Sequence, residues 1–561
     1  MNDETKFNHR AICVSSKGKE IIAIFILVLI VALVGIVNYR VLEQDTTIFM
    51  HDEFDYYDIA YRFSEAFEWM RDGDHRGLAQ LKALWNDRSY RPRFFTLVVG
   101  VVLYLHGTAT MDSMVMANIV FMLVLVFAMY LIGRKMSGIS CGLLAAFVLL
   151  MFPGVFAFSR VSMPEFSLIT LVALSYMLIL YGESFTKTRY SILLGITIGC
   201  GMITKITYPA FVIMPLLLVF IKAMLLYCNN AKQRIVIVGN LFLVIILTLA
   251  IALQWYISHF TQLTEWMPIQ VFLDESGSDA KGFYMLAFVL RQLYPFFYVV
   301  FIAMTVVLML RGRVNFIVTM FANIIVPVLI ICIASAEESR FTVPMLPFAA
   351  LLIARGLVEL KSKLITVMVV VIALFQFISL SFSEDSIFRV VNSPIFDGIN
   401  NEINNRSRDN GLLHATQEDW SLQEKIYHLL KNNFDREKEG ICQIYFIDNL
   451  EKIFFGVRYC MYRNDTKDYI FRRFSEGGTG WDGGYIESAR YKEGLLRANF
   501  IVINDSKKYD SFKDYDGNNL LTLEYERWQA TRKIFLEAKS RYILSGEFNL
   551  ADDVIQIYKK K

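Results

Sequence analysis

The sequence predicts a polytopic α-helical membrane protein of about eleven spans followed by a soluble α/β domain. Three observations lead there. Of the 561 residues, 55% are hydrophobic, 45 are Phe and only 19% are charged, with a mean hydropathy of +0.42, far too apolar for a soluble chain of this size. The apolar residues between 20 and 383 gather into runs of membrane-crossing length. Beyond 383 the runs shorten to strand length, and charges, Asn and Gly rise. A net charge of +3 is too small to argue for a nucleic-acid partner. Five of the seven Cys (Cys13, Cys141, Cys200, Cys228 and Cys332) lie in or beside the apolar part, so they form no disulfide framework.

Taken in order, the apolar runs lie near 20–42, 112–133, 139–158, 164–182, 190–204, 207–227, 235–257, 283–310, 314–334, 341–357 and 363–382. The first is longer than the apolar core of a signal peptide and lacks a small-residue cleavage site, so it reads as a retained anchor after a cytoplasmic 1–19. A further run, "FFTLVVGVVLYLHG" at 94–107, would reach only about 21 Å at ~1.5 Å per residue, short of a hydrocarbon core of roughly 30 Å. Charge arbitrates. If 94–107 does not cross, then the N-terminus, Arg134 and Lys135, Lys187 and Arg189, Lys232 and Arg234, Arg311 and Arg313, and Arg355, Lys361 and Lys363 all fall on the cytoplasmic side. The segment is therefore expected to lie against the outer face or dip into it, within a first loop at 43–111, and the transmembrane domain to span 20–383.

Residues 384–561 then form an extracytoplasmic domain. "ICQIYFID", "RYCMYRND", "NFIVIND", "RYILSGEF" and "DVIQIYKKK" read as strands, with helices at "WSLQEKIYHLLKNN" and "YERWQATRKIFLEAKS". Cys442 and Cys460 could pair on an oxidising side, though Cys on apparent strands is as often a buried thiol. The stretch "SEGGTGWDGGYIES", around Trp481 and Tyr485, matches no phosphate-binding Gly fingerprint and reads as either a sugar-facing flap or an ordinary loop.

In this topology the outer ends of the spans carry Asp52, Glu53, Asp55, Arg160, Glu165, Lys205, Glu337, Glu338 and Arg340. Ionisable groups at such depths are costly, so they face a cavity, pair with one another or mark a substrate path. Each has a plain alternative. The spacing of Phe54, Tyr57, Ala60 and Tyr61 would also suit an ordinary juxtamembrane helix with solvated acids. Glu165 after Pro164 suits a helix N-terminus, Lys205 could snorkel to the headgroups, and Arg340 could pair with Glu337 or Glu338.

The stretch "HDEFDYYDIAYRF" after the first span resembles the Asp-Glu first-loop motif of the GT-C glycosyltransferases, in the branch of protein O-mannosyltransferases and lipid A aminoarabinose transferases. The resemblance continues through "RPRFFTLVVGVVLYLHGTATMDS", "SRVSMPEFSLI", "MITKITYPAFVIMP" and "ESRFTVPMLPFAALLIARGL", covering roughly 20–383. It implies that Asp52 and Glu53 are the acidic pair that supplies the catalytic base. It also implies that Lys205 and Arg340 hold a lipid phosphate. Glu165 stands where family members often have a shorter Asp, and Asp55 where aminoarabinose transferases have a basic residue, which argues against copying their sugar preference. Asp55, Arg160, Glu165 and Glu337 are the further substrate-site candidates.

Such a protein is expected to be a hexosyl- or pentosyltransferase of the plasma membrane. It would take a sugar from a polyprenyl-phosphate donor and pass it, with inversion, to an extracytoplasmic lipid, glycan or protein of the cell envelope, such as a lipopolysaccharide or a secreted polypeptide. One carboxylate acts as base and cations receive the charge of the leaving phosphate. No cofactor is required, although His51, Asp52, Glu53 and Asp55 could supply hard oxygen ligands to Mg²⁺ or Mn²⁺. The rival class is a secondary transporter or lipid flippase, which should place charges or broken helices near the midplane in repeated halves. The sequence carries no such repeat.

Overall fold

The computed structural model describes residues 4–45, 51–86, 91–107, 111–229, 233–260, 264, 281–333, 339–383, 421–434, 442–447, 457, 460, 469–473, 498–504, 535–536, 539–549 and 554–561. The chain divides into two compact units, one holding the apolar helices and the other the C-terminal strands.

The first unit contains α1 (Glu4–Gln44), α2 (His51–Arg71), α3 (Arg76–Trp85), α4 (Phe94–His106), α5 (Met111–Ser137), α6 (Ile139–Met151), α7 (Pro153–Phe158) and α8 (Pro164–Tyr181). It continues with α9 (Thr188–Met202), α10 (Tyr208–Asn229), α11 (Arg234–Ser258), α12 (Lys281–Leu310), α13 (Val314–Ile333), a 3-10 turn at Ser339–Met345, α14 (Leu346–Leu360) and α15 (Lys363–Phe382). Among the described residues nine helices are long and apolar enough to cross a membrane. The two other expected spans form shorter helices. The run at 139–158 breaks at Phe152, whose extended backbone (ψ 129) is what a following Pro imposes. The run at 190–204 forms α9, whose Gly195 and Gly199 face α11 so closely that a Cβ would lie 2.9 Å from the Val244 oxygen and 2.8 Å from the Ile251 Cβ. Small residues spaced four apart permit this backbone approach.

Ion pairs and polar side chains separate the two ends of the bundle. At one end Arg134 pairs with Glu20, Lys135 donates to the Leu180 carbonyl at 2.7 Å, and Arg313 meets Glu359 at 2.9 Å. The basic turns gather here. At the other end the C-terminus of α1, the α7–α8 turn and the C-terminus of α15 meet through Asn38, Ser159, Arg160 and Ser381.

The helix α4 belongs to this second end. Its first amide, Phe94, donates to the Ile203 carbonyl at 2.8 Å, beside the turn that carries Lys205. At its far end, His106 meets Ser113 at 3.0 Å, and Asn118 on α5 reaches back to the α7–α8 turn. Both ends of α4 therefore sit on the same side, and the segment does not carry the chain across. It docks on α2 through Gly100, where a Cβ would meet the Phe63 Cβ at 2.5 Å. The anticipated apolar face of α2 is the docked one, with Phe54, Tyr57, Ala60 and Tyr61 all buried. α12 is kinked at Tyr294 (φ 59), immediately before Pro295.

In the second unit, strands β1 (Cys442–Ile447), β2 (Tyr469–Arg473), β3 (Phe500–Asn504), β4 (Tyr542–Asn549) and β5 (Val554–Lys560) form one sheet in the order β2-β1-β3-β5-β4. β2, β1 and β3 run parallel, while β3, β5 and β4 pair antiparallel. The central strand β3 is buried from Phe500 to Ile503, as expected where both faces are covered. An amphipathic helix, α16 (Ser421–Asn432), buries Ile426, Tyr427 and Leu430.

Four expected strands are found, and one expectation is corrected. Within "RYCMYRND" Cys460 is helical, as is Val457 just before the stretch. Both are buried, and a three-residue spacing is that of one helical face rather than of a strand. The overlooked strand is β2, "YIFRR", which is short and ends in two Arg. Cys460 is buried, whereas the Cys442 side chain, the Gly-rich stretch with Trp481 and Tyr485, and Glu337 and Glu338 fall outside the described residues. Most of "YERWQATRKIFLEAKS" does too; Phe535 and Leu536 within it are helical.

Candidate active site

Pro164 at the first position of α8 cannot extend the helix backwards, so Glu165 lies in the first turn, where a carboxylate suits the positive end of the helix dipole. Its side chain is only 1% exposed. Burying a carboxylate demands compensation, and two cations supply it. Lys205 Nζ donates to Glu165 Oε1 at 2.5 Å, and Arg340 Nε stands 3.8 Å from the same oxygen. Phe341 completes the group, its ring centroid 4.3 Å from Lys205 Nζ and 5.7 Å from the Arg340 guanidinium. Among the described residues one carboxylate thus meets two cations. Glu165 Oε2 is buried with no hydrogen-bond partner among the described residues.

Local structure fixes Lys205. It closes α9 through its amide bond to the Gly201 carbonyl at 3.2 Å, and its own carbonyl accepts from Tyr208 N at 3.0 Å. The Tyr208 hydroxyl meets Ser175 on α8 at 2.6 Å. The turn is therefore anchored to the same helix that presents Glu165. Arg340 is placed by the 3-10 turn preceding α14.

The acidic pair begins α2. Glu53 is fully buried and its Oε1 accepts from the Ser162 backbone N–H at 2.8 Å. Ser162 lies three residues before Glu165, so the α7–α8 segment touches one carboxylate through its backbone and presents the other as a side chain. The backbone of Asp52 is helical; the side chains of His51 and Asp52 lie outside the described residues. Asp55 is half-exposed and 3.2 Å from Arg91, whose guanidinium lies 5.1 Å from the Tyr56 ring. Asp58 pairs with Arg62 one turn on, at 3.3 Å. Arg160 is fully buried, donating to Asn38 Oδ1 and Ser381 Oγ at 2.7 Å each and lying over the Phe156 ring at 4.8 Å. Glu337 is outside the described residues.

Of the residues singled out in the sequence, the structure thus joins Glu165, Lys205 and Arg340 in one cluster. Glu53 is tied to the adjoining turn, and Asp55 pairs separately with Arg91. Sequence reasoning missed Phe341, Asn38, Asn118 and Ser381. Asn38 and Asn118 left one trace, an amide side chain in or beside an otherwise apolar run, the kind of residue that forms interhelical hydrogen bonds. Among the described residues no three His, Cys, Asp or Glu side chains cluster as metal ligands; of His51, Asp52, Glu53 and Asp55, the first two side chains lie outside those residues.

A bundle of apolar helices with buried charges at one end, and a mixed sheet beyond it in the chain, is the architecture expected from the sequence resemblance to GT-C glycosyltransferases. Residues 91–256 match the family model described as dolichyl-phosphate-mannose-protein mannosyltransferase, a stretch that includes Arg160, Glu165 and Lys205. The fold is similar to that of ArnT from Cupriavidus metallidurans in its apo state, with a TM-score of 0.57 and 13% identity over 94% of this chain and 97% of that one. It is likewise similar to the same protein bound to undecaprenyl phosphate, with a TM-score of 0.56 and 14% identity over the same shares. No curated protein matches the sequence.

Proposed function

We propose that the protein is a membrane glycosyltransferase that moves a hexosyl or pentosyl group from a polyprenyl-phosphate donor to a lipid, glycan or protein acceptor on the extracytoplasmic face. The observation that carries this reading is the buried cluster of Lys205, Arg340 and Glu165. Two cations gathered at one buried carboxylate, at the end of the bundle away from the basic turns, suit an anion held at the membrane surface. The ArnT neighbour bound to undecaprenyl phosphate and the mannosyltransferase family match support the donor class. The basic turns at the opposite end support placing that end in the cytoplasm, and with it the active end and the C-terminal domain outside.

In this mechanism the acceptor hydroxyl oxygen forms a bond to the anomeric carbon while the bond from that carbon to the phosphate oxygen breaks. The hydroxyl proton passes to a carboxylate, and the electron pair leaves with the phosphate towards Lys205 and Arg340. One displacement inverts the anomeric centre. We assign the base to Asp52, because Glu53 is buried and engaged by Ser162 N–H, which suits a residue that positions rather than one that meets the acceptor. Glu165 holds the two cations apart from solvent until the phosphate arrives. The Asp55 pair with Arg91 shapes the outer rim of the same loop. The ion pairs in the described part of the bundle lie at its ends, which favours an interfacial enzyme over a transporter with a midplane site.

The test is transfer itself. Purified protein should release polyprenyl phosphate from a polyprenyl-phosphate sugar in the presence of envelope extract, with the sugar recovered on the acceptor by mass spectrometry. A Lys205→Ala, Arg340→Ala variant should lose that release. Equal release by the variant, or none by the wild type across a panel of hexosyl and pentosyl donors, would overturn the proposal.

A further inference from the structure

The turn that engages Glu53 is itself held by side chains on helices α1, α5 and α15. Asn118, on α5, is 1% exposed and spends both amide hydrogens on this turn: Nδ2 donates to the Ser159 carbonyl at 3.2 Å and to the Val161 carbonyl at 2.9 Å. From the other side Asn38, on α1, donates to Ser159 Oγ at 2.8 Å and accepts from Arg160, which also reaches Ser381 on α15. The next backbone donor along the chain, Ser162 N–H, meets Glu53 Oε1. Four helices, α1, α2, α5 and α15, thus converge on the four consecutive residues Ser159–Ser162.

The chemistry at Asn118 is informative. Its Oδ1 is buried with no hydrogen-bond partner among the described residues, which costs stability in an apolar surrounding. A Leu, branched at the same carbon, would avoid that cost. The side chain is of use here only for its two N–H groups, and both fix carbonyls that flank Arg160. A peptide unit whose neighbouring carbonyls are pinned cannot rotate, so the direction of the Ser162 N–H, and with it the carboxylate that accepts from it, is set by α5.

We infer that Asn118, with Arg160 and Asn38, is a positioning residue for the acidic pair: it acts through the Ser159–Ser162 turn to hold Glu53, and through Glu53 the start of α2, where the proposed base Asp52 sits. This rests on the function proposed above for α2 and deepens it. The role differs from that of Lys205, which acts on the donor phosphate from another turn, and the two can be separated kinetically.

The experiment is a set of double-mutant cycles on the purified full-length protein. Asn118→Leu alone should lower kcat by about tenfold, the order expected of a slightly misplaced catalytic group, while the KM for donor stays within about twofold. On a Glu53→Leu background, which has no acceptor for Ser162 N–H, the same change should cost less than about threefold; on a Lys205→Ala background it should cost the full factor again. Equal costs on all backgrounds would reduce Asn118 to a general contributor to the fold and overturn the inference. A second readout does not depend on transfer. Hydrogen exchange of the Ser162 amide should quicken in Asn118→Leu while amides of α8 beyond Thr170 keep their protection. An unchanged Ser162 amide would refute the coupling whether or not transfer is detected, whereas a quickened amide in a protein with no transfer would leave the turn's role standing and remove the catalytic reading of α2.

Discussion

Removing Lys205 should expose how strongly the anion–cation cluster is bound together. In Lys205→Met the aliphatic bulk is kept and the charge is lost, leaving Glu165, 1% exposed, with Arg340 at 3.8 Å, outside hydrogen-bond range. Breaking a buried pair by deleting one partner typically costs about 3–5 kcal/mol, because the survivor is stranded. Arg340 offsets part of this, since unit charges about 4 Å apart attract by about 4 kcal/mol at an effective dielectric near 20, before desolvation is subtracted. A net loss of about 2–3 kcal/mol is therefore expected. Adding Glu165→Gln removes the stranded charge and should recover at least about half of the loss, a coupling of at least about 1 kcal/mol. Unfolding of the detergent-solubilised protein, followed by tryptophan fluorescence, reads both quantities. Undecaprenyl phosphate at about 100 times its dissociation constant should stabilise the wild type by about 2.7 kcal/mol and the Lys205→Met protein much less. A Lys205→Met protein as stable as the wild type, with Glu165→Gln merely additive and the lipid phosphate equally effective on both, would refute the charge-bound cluster.

Other outcomes follow from packing and topology. A Cβ on Gly201 would meet the Tyr208 ring at 2.4 Å, so Gly201→Val should displace the turn bearing Lys205, costing about 1–3 kcal/mol of stability and raising the KM for donor in steady-state assays. Gly100→Val should push α4 off α2, where Phe63 and Ala60 leave no room, and proteolysis between residues 86 and 94 should become faster than in the wild type. A cysteine introduced at Lys187 should resist a membrane-impermeant thiol reagent in intact cells, while one at Lys561 should react; the reverse pattern would invert the topology and remove the site from the outer face.

The spans were readable because hydropathy over about twenty residues is a strong signal, and the buried face of α2 because Phe54, Tyr57, Ala60 and Tyr61 recur at helical spacing. For α4 the charge pattern favoured a non-crossing 94–107, which keeps every basic turn on one side, and the bond from Phe94 to Ile203 ties its start to the end of α9. Which charges lie at span ends was visible in the sequence, but their pairing was not. Arg340 had near neighbours in Glu337 and Glu338, whereas the described partner is Glu165, brought alongside by α8 from far away in the chain. Asp55 gave no hint of Arg91, since the link depends on α4 folding back onto α2. Asn118 stayed hidden because a single amide in an apolar run identifies neither the helix it will face nor the carbonyls it will hold. β2 was lost to its brevity, and Cys460 was misread because a short mixed run does not distinguish a strand from a helical turn.

The central claim is that the loop opening with "HDEF" supplies the base for glycosyl transfer. Asp52→Asn keeps the size of the side chain but cannot accept the acceptor's proton at neutral pH, so the rate of transfer from a polyprenyl-phosphate sugar should fall by about 10² or more, with undecaprenyl phosphate binding and thermal stability near those of the wild type. Glu53→Gln should cost less. Full transfer by a folded Asp52→Asn protein would contradict the assignment of the base, and full transfer with both Asp52 and Glu53 neutralised would contradict the enzymatic reading of the loop.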